Sequence, residues 1–199
     1  AVLLDAHLPT LEATPVEKRG SASFEIASKL LATIATIRKV PDAVAQIRSL
    51  QLVPVEIATV PDQLRFNQTS IRVPANTPVE LRLDNPDVIQ HNLVLCAPDS
   101  LENVGLAVDN ILADPKAIDR DWIPDLPEVL HATPMANPHQ EVVLRFLTPK
   151  KPGSYSFLCT VPGHWRIMQG TMIVGEPKTS SSSNKANNHV LILTGEPEY

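Results

Sequence analysis

Three side chains that bind metals lie close together near the end of the chain. Cys159, His164 and Met168 fall within ten residues, and Pro162-Gly163 separates the cysteine from the histidine. The alternating apolar pattern predicts that one strand ends at Cys159 and that another begins at Gly170. A loop closed by strands at both ends is stiff, so we expect it to hold its three ligands at nearly fixed positions.

The ligand types in this loop favour copper over zinc. Thiolate and thioether are soft donors, and one Cys with two His and a long, weak axial Met is the arrangement of blue, or type 1, copper sites. Zinc prefers four strong ligands in a tetrahedron, and a thioether is a poor donor to it. The loop supplies a single histidine, so a second one must come from elsewhere in the chain.

His91 is the best candidate for that second histidine. It follows the turn-rich segment Asp84-Asn85-Pro86-Asp87 and opens an apolar run that ends at Leu95, which places it at the start of a strand. The other four histidines are less favoured, because two are expected at the surface or in a turn and two lie in the terminal segments: His131, His139, His7 and His189.

The region that contains these residues has the pattern of an antiparallel β-sandwich. Apolar and polar residues alternate after Pro54, and turn signals separate the runs. We expect about seven or eight strands, including runs at 53–59, 71–73, 79–83, 91–95, 141–147, 154–159 and 170–174. The segment between Leu95 and Gln140 contains partly helical runs broken by prolines, which predicts a helical flap inserted in the sandwich.

The two ends of the chain differ from this pattern. Apolar residues recur at helical spacing from Phe24 to Ile37, and Pro41-Asp42 suits the start of a second short helix. The four-serine run Ser180–Ser183 is typical of a flexible linker. The predicted organisation is a helical N-terminal extension, an all-β domain and a flexible tail, at residues 1–51, 52–175 and 176–199.

The two ligand regions together resemble the azurin branch of the cupredoxins. Cys159-Thr-Val-Pro-Gly-His164 followed by Met168 has the ligand intervals of that branch, and His91-Asn92 resembles its upstream pair. The resemblance covers roughly residues 55–175. It implies a cupredoxin-type Greek-key sandwich with one type 1 copper ion that cycles between Cu(I) and Cu(II) in electron transfer.

The resemblance also implies a role for each ligand. Cys159 would be the covalent path for the electron, His91 the buried equatorial imidazole and Met168 the weak axial ligand. His164 would be the imidazole whose edge reaches the surface. Azurins have a glycine before the first histidine whose carbonyl approaches copper, and Gln90 stands there in this chain, so its carbonyl is a candidate axial contact that the substitution puts in doubt.

Further residues would support the site and its partners. By the same resemblance, Asn92 would brace the ligand loop through a hydrogen bond to Thr160 or its backbone. We expect an apolar docking patch for transient redox partners, such as a c-type cytochrome or a terminal oxidoreductase, formed by Ile89, Pro162 and Trp165. For Trp165 the alternative is plain packing against the loop.

Cys96 is expected to be a free, buried thiol. Strand alternation places it on the opposite side from His91, which argues against a role as a copper ligand. A disulfide between Cys96 and Cys159 would remove the thiolate, so we do not expect one.

Two alternative functions are a copper enzyme and a copper carrier or storage protein, and the chain is also compatible with being one domain of a larger protein. Multicopper oxidases and copper nitrite reductases place a histidine beside the cysteine, whereas Cys159 is flanked by Leu158 and Thr160. Copper carriers or storage proteins use Met-rich or His-rich patches, and this chain has three Met and no His cluster. The helical start and serine run are compatible with one electron-transfer domain of a larger oxidoreductase.

Composition and chemistry narrow the partners and the compartment. The net charge of -5 and the lack of a dense Lys/Arg run argue against nucleic acid as a partner. No apolar run approaches the roughly 18 residues that a membrane-spanning helix needs. Copper bound by a thiolate implies a location outside the reducing cytosol, so we predict the periplasm or an equivalent compartment.

Overall fold

The computed structural model describes residues 2–175, so the predicted flexible tail at 176–199 lies outside the described residues. The described part contains nine strands and four α-helices. The strands are β1 (Val53–Val60), β2 (Gln63–Phe66), β3 (Ser70–Pro74), β4 (Pro78–Asn85), β5 (Val94–Cys96), β6 (Val129–Ala132), β7 (Gln140–Leu147), β8 (Gly153–Leu158) and β9 (Gln169–Gly175). The helices are α1 (Val2–Glu12), α2 (Ala22–Ile37), α3 (Pro41–Ser49) and α4 (Leu101–Asp109), and short 3-10 turns occur at Val16–Lys18, Ile111–Ala113 and Ile118–Arg120.

The strands form two sheets, in the orders β2-β1-β4-β7 and β3-β9-β8-β5-β6. This sandwich, with a helical flap and preceding helices, confirms the predicted fold class. The expectation of purely antiparallel pairing is wrong at two places, because β1 pairs with β4 and β3 pairs with β9 in parallel. The chain crosses from one sheet to the other between these partners, which allows parallel neighbours without a tight hairpin.

The strand count and one boundary also differ from the sequence-based expectation. β2 has four residues, too few for a clear alternating pattern, and β6 lies inside the segment that the prolines marked as flap. β5 begins at Val94 rather than at His91, because His91 forms an isolated bridge with Ala136 instead of a continuous ladder. The backbone around His91 therefore lies outside the regular ladder of the sheet.

The apolar residues of the sandwich fill two separate clusters. The larger cluster lies between the sheets and includes Phe66 and Phe157, whose rings meet edge to face with centroids 5.5 Å apart. The second cluster lies between the outer face of β5 and β8 and the flap, where α4 contributes Val104 and Val108. Strand alternation explains the division, since neighbouring residues on β5 and β8 face opposite clusters.

The first three helices have a small core of their own. Phe24, Leu31 and Ala35 of α2 pack with Ala43 and Ile47 of α3. The Ser21 hydroxyl caps α2 by accepting a hydrogen bond from the Phe24 N–H at 3.3 Å, and Pro41 occupies the first turn of α3. None of the helices within residues 2–175 combines the length and the apolar character required to span a membrane.

The helical segment also contacts the edge of one sheet. The 3-10 turn Val16–Lys18 packs on β7, the outermost strand of its sheet. At Gly20 the guanidinium of Arg145 on β7 occupies the space that a β-carbon would take. The helical segment therefore packs on an edge strand of the sandwich.

Phe66→Ala is expected to destabilise the sandwich strongly. The side chain is 0% exposed and contacts the Phe157 ring, so truncation leaves a cavity that costs about 3–5 kcal/mol of unfolding free energy. Urea unfolding of the metal-free protein measures this loss. As a matched control, Leu112→Ala at a side chain that is 68% exposed should change stability by less than about 0.5 kcal/mol. Equal losses in the two variants would contradict the assignment of the core.

Candidate metal centre

The segment 159–168 forms a closed loop between β8 and β9. The last pair of the β8–β9 ladder joins Leu158 to Gln169, and the Cys159 N–H then donates to the Met168 carbonyl at 2.9 Å. Within the loop, the Met168 N–H donates to the His164 carbonyl at 2.9 Å. Gly163 has a φ of 87°, a conformation that glycine adopts without the steric cost of a side chain. The sequence therefore folds this segment into a compact turn with a hydrogen-bonded neck.

Three metal-binding side chains converge at this loop. One ligand atom from each of His91, Cys159 and His164 lies within 4.8 Å of the others. The Cys159 Sγ is 3.8 Å from the His91 Nδ1 and 3.5 Å from the His164 Nδ1. His91 and Cys159 are 0% exposed, and His164 is 8% exposed. The structure thus brings together three residues that are up to 73 positions apart in the sequence (91 to 164).

Met168 lies in the same apolar environment. Its side chain is 0% exposed and belongs to the core cluster that also contains Cys159. The thioether is therefore shielded from solvent. The loop thus supplies a soft thioether close in sequence to the thiol and imidazole donors.

The protonation states of the two imidazoles and the thiol are compatible with metal binding. Burial lowers the pKa of His91, and burial together with the nearby His91 lowers the pKa of His164 to about 4. Both imidazoles are therefore neutral near pH 7 and have a lone pair for a metal. Burial raises the pKa of the Cys159 thiol to about 11, so a metal ion must displace the thiol proton when it binds. Two imidazoles, one thiol and a buried thioether fit copper.

Asn92 connects the two ligand regions. Its Oδ1 accepts a hydrogen bond from the Thr160 N–H at 2.8 Å, and its Nδ2 donates to the Thr160 Oγ1 at 2.7 Å. The same Nδ2 donates to the carbonyl of Asp121 in the flap at 2.8 Å. Asn92 and Thr160 are both 0% exposed. The residues that directly follow His91 and Cys159 are thus held together by paired hydrogen bonds.

Asn85 organises the backbone before His91, a role that the sequence did not reveal. Its Nδ2 donates to the carbonyls of Ile89, Ala136 and Asn137 at 2.8–3.1 Å, and its Oδ1 accepts from the Thr59 hydroxyl at 2.8 Å. Asn85 is 0% exposed. The sequence places it in an Asn-Pro-Asp turn, and a turn signal does not distinguish an exposed asparagine from a buried one.

Asp87 is a second residue that the sequence analysis missed. Its carboxylate Oδ2 lies 3.3 Å from the Nε2 of His91, and its Oδ1 accepts from the Val88 N–H at 2.7 Å. The side chain is 3% exposed. The spacing Asp87-x-x-x-His91 was the available signal, because the turn at this corner folds the carboxylate back onto the histidine.

Trp165, which we expected either in an exposed docking patch or packed against the loop, is buried against the flap. It is 6% exposed and packs against α4, where Gly105 leaves room for the indole ring. The indole N–H donates to the Asp109 Oδ1 at 2.8 Å, and Arg166 both stacks on the ring and pairs with the Asp109 Oδ2 at 2.6 Å. The ligand loop is therefore fastened to the flap.

The other predicted patch residues lie at the surface near the ligands in sequence. Ile89 is 42% exposed, and Pro162 is half-buried. Two further apolar side chains are also exposed: Val88 at 68% and Ile167 at 61%. The Gln90 side chain donates to the Asn137 Oδ1 at 2.6 Å. Contact between the Gln90 carbonyl and copper stays a prediction.

The remaining cysteine and histidines lie outside the donor cluster, the name used here for His91, Cys159 and His164. Cys96 is a free, buried thiol on the flap side of the sheet, and burial raises its pKa to about 12. His7 and His139 are exposed. His131 is not the surface residue that we expected, because it is half-buried with its ring 4.6 Å from the Phe146 ring. His189 lies outside the described residues.

Comparison with known proteins agrees with the geometry of the site. The family described as copper binding proteins of the plastocyanin/azurin type matches residues 53–175. The chain belongs to this family. Its match spans all nine strands and every residue of the donor cluster. The cofactor of this cupredoxin is therefore one copper ion of type 1.

Two curated relatives and a solved structure are particularly similar. The chain is 32% identical to auracyanin-A of Chloroflexus aurantiacus over 124 residues, which are 61% of this chain and 74% of the relative. It is 40% identical to auracyanin-B of the same organism over 125 residues, which are 60% of this chain and only 51% of that relative. The solved structure of auracyanin A, a "blue" copper protein of Chloroflexus aurantiacus, is 30% identical in sequence and gives a TM-score of 0.56, with 62% of this chain and 98% of that chain covered.

Asn92→Ala is expected to destabilise this cupredoxin and loosen its ligand loop. The variant leaves the buried Thr160 N–H without its acceptor, and an unpaired buried donor costs about 1–3 kcal/mol. Urea unfolding of the metal-free protein measures the loss. The control Asn103→Ala removes an amide from an exposed position on α4 and should cost much less. If both variants lost the same stability, the bond from Thr160 would not restrain the loop.

Proposed function

We propose that the chain carries single electrons between protein partners, with His91, Cys159, His164 and Met168 holding one copper ion. The convergence of two imidazoles and a thiol in a buried cluster is the observation that carries this proposal. A bound copper ion would supply a Cu(I)/Cu(II) couple. The chain's own residues fix the donors and exclude water, and His164 would provide the route for the electron to the surface.

Rigidity of the donors supports electron transfer. The loop is closed at its neck by the Cys159 N–H bond to the Met168 carbonyl, and Asn92 joins the loop to the segment that carries His91. Donors that scarcely move when the metal changes oxidation state keep the reorganisation energy small. Hydrogen bonds behind the ligands are the usual means by which proteins achieve this.

His164 offers the shortest way from the cluster to solvent. It is 8% exposed, whereas His91 and Cys159 are fully buried. We propose that the surface around it, with Ile89 and Pro162, forms a small apolar docking area for transient redox partners. A c-type cytochrome or a terminal oxidoreductase would suit this surface.

The burial of the donors argues against the alternatives of copper carriage and catalysis. A carrier must release its metal readily, and donors that are 0–8% exposed do not favour rapid exchange. A catalytic metal site requires an open position for substrate. Four protein donors leave no evident open position, so we propose that the chain is not itself an enzyme.

We further propose the organisation and compartment that the sequence suggested. Residues 1–51 would be a helical extension, residues 52–175 the copper domain and residues 176–199, which lie outside the described part of the chain, the Ser-rich tail. The separate apolar core of the helices supports the first boundary. A copper–thiolate site suits the periplasm or an equivalent space outside the reducing cytosol, and a place within a larger redox protein is compatible with this organisation.

The visible absorption spectrum of the copper-loaded, oxidised protein tests the proposed ligands. We expect the intense thiolate-to-copper band that makes type 1 sites blue, and we expect Cys159→Ser to abolish it because a hydroxyl cannot replace the thiolate. The control Cys96→Ser removes the other thiol and should keep the band. A colourless wild-type protein that still binds copper would contradict the proposal and favour copper carriage.

Ile89→Lys is expected to slow electron exchange with a redox partner at least tenfold. The change places a charge in the proposed apolar docking area without touching the donor cluster. Stopped-flow mixing with a reduced cytochrome c measures the rate. Ile26→Lys, at a side chain on α2 that is 68% exposed, is the matched control and should leave the rate nearly unchanged. Equal rates for the two variants would place docking elsewhere.

A further inference from the structure

A buried carboxylate stands directly behind the first histidine of the cluster. The Asp87 Oδ2 lies 3.3 Å from the His91 Nε2, on the opposite side of the ring from the Nδ1 that faces the Cys159 Sγ. His91 is 0% exposed and Asp87 is 3% exposed. The two nitrogens of one buried ring therefore face different groups, the thiol on one side and a carboxylate on the other.

We propose that Asp87 acts through His91 to favour the oxidised state of the site and thereby lowers its reduction potential. This inference rests on the proposed function, because it takes His91 as a copper ligand through Nδ1. Asp87 does not touch the metal in this scheme. It is a positioning and tuning residue for a ligand.

Hydrogen bonding gives the first reason. If the Nδ1 binds the metal, the ring proton must reside on the Nε2, which then donates to the Asp87 carboxylate. A carboxylate behind a ligating imidazole fixes the orientation of the ring and raises the basicity of the ligand. A more basic imidazole gives more stabilisation to Cu(II) than to Cu(I), since the higher charge draws more strongly on the ligand.

Charge balance gives the second reason. Cu(II) with one thiolate carries one positive charge, and the Asp87 carboxylate brings the buried group to neutrality. After reduction, Cu(I) and thiolate are neutral together, and the carboxylate leaves one net negative charge. A net charge is costly where water is excluded. Both reasons therefore favour the oxidised state.

Both carboxylate oxygens of Asp87 face nitrogen groups. The Oδ1 accepts a hydrogen bond from the Val88 N–H at 2.7 Å, and the Oδ2 lies 3.3 Å from the His91 Nε2. The Asp87 N–H also donates to the Asn85 Oδ1 at 3.2 Å, which fixes the backbone of the turn. Asp87 is thus held in place by contacts on both its main chain and its side chain.

A purely structural role makes a different prediction. If Asp87 only shaped the turn before His91, its charge would not matter and Asp87→Asn would retain an acceptor for the Val88 N–H. Stability could fall, but the reduction potential would stay the same. The potential therefore separates the two roles, and loss of stability does not.

The test is the reduction potential of copper-loaded Asp87→Asn, measured by redox titration of the blue band. We expect the preference for Cu(II) over Cu(I) to fall at least tenfold, a rise of about 59 mV for a one-electron couple. The control Asp84→Asn removes the same charge from an exposed side chain three residues away and should shift the potential much less. An unchanged potential in Asp87→Asn, or equal shifts in the two variants, would overturn the proposal.

A second measurement needs no substitution and covers the case in which Asp87→Asn fails to fold. In the wild-type Cu(I) protein, a nitrogen-resolved proton spectrum should show a His91 proton on the Nε2, shifted downfield and slow to exchange. A proton on the Nδ1, or a rapidly exchanging Nε2 proton, would overturn the proposal. A wild-type protein without the blue band would refute the proposed function itself, whereas a blue protein with an unshifted variant refutes the role of Asp87 alone.

Discussion

The hydrogen bonds between Asn92 and Thr160 are the constraint on which the metal centre depends. The donor cluster combines residues from two distant parts of the chain, and each of these two residues directly follows a donor. Apolar packing is not directional, whereas these hydrogen bonds are directional and restrain the orientation of both backbones. The buried amide of Asn92 therefore sets the relation between His91 and Cys159.

The site is surrounded by buried polar groups that are satisfied by one another. Asn85, Asp87, Asn92 and Thr160 are all at most 3% exposed, and each makes hydrogen bonds to backbone or side-chain partners. Burial without such partners would cost each group several times the net gain of a hydrogen bond. The same low polarity of the surroundings keeps the imidazoles neutral and strengthens every interaction with a bound cation. Satisfied polar groups and apolar walls together make the centre both rigid and dry.

Much of the fold and site could be predicted from sequence because the signals are local. The loop 159–168 carries its chemistry in residue type and spacing, and long strands such as β4 and β7 alternate clearly. What could not be predicted depends on three-dimensional context. β2 and β6 are short strands that gain their register from neighbours, and nothing in the local sequence distinguishes a buried Trp165 from an exposed one.

The flap explains why Trp165 is buried and what its burial does for the site. Asp109 at the end of α4 accepts from the Trp165 indole and pairs with Arg166, the two residues that immediately follow His164. Three sets of contacts therefore restrain the loop. The ends of β8 and β9 restrain Cys159 and Met168, Asn92 restrains Thr160, and the flap restrains Trp165 and Arg166. Because these three restraints act on different residues of the loop, none of them alone has to fix His164. His164, the most exposed of the three clustered donors, is consequently restrained by the residues that surround it in the loop.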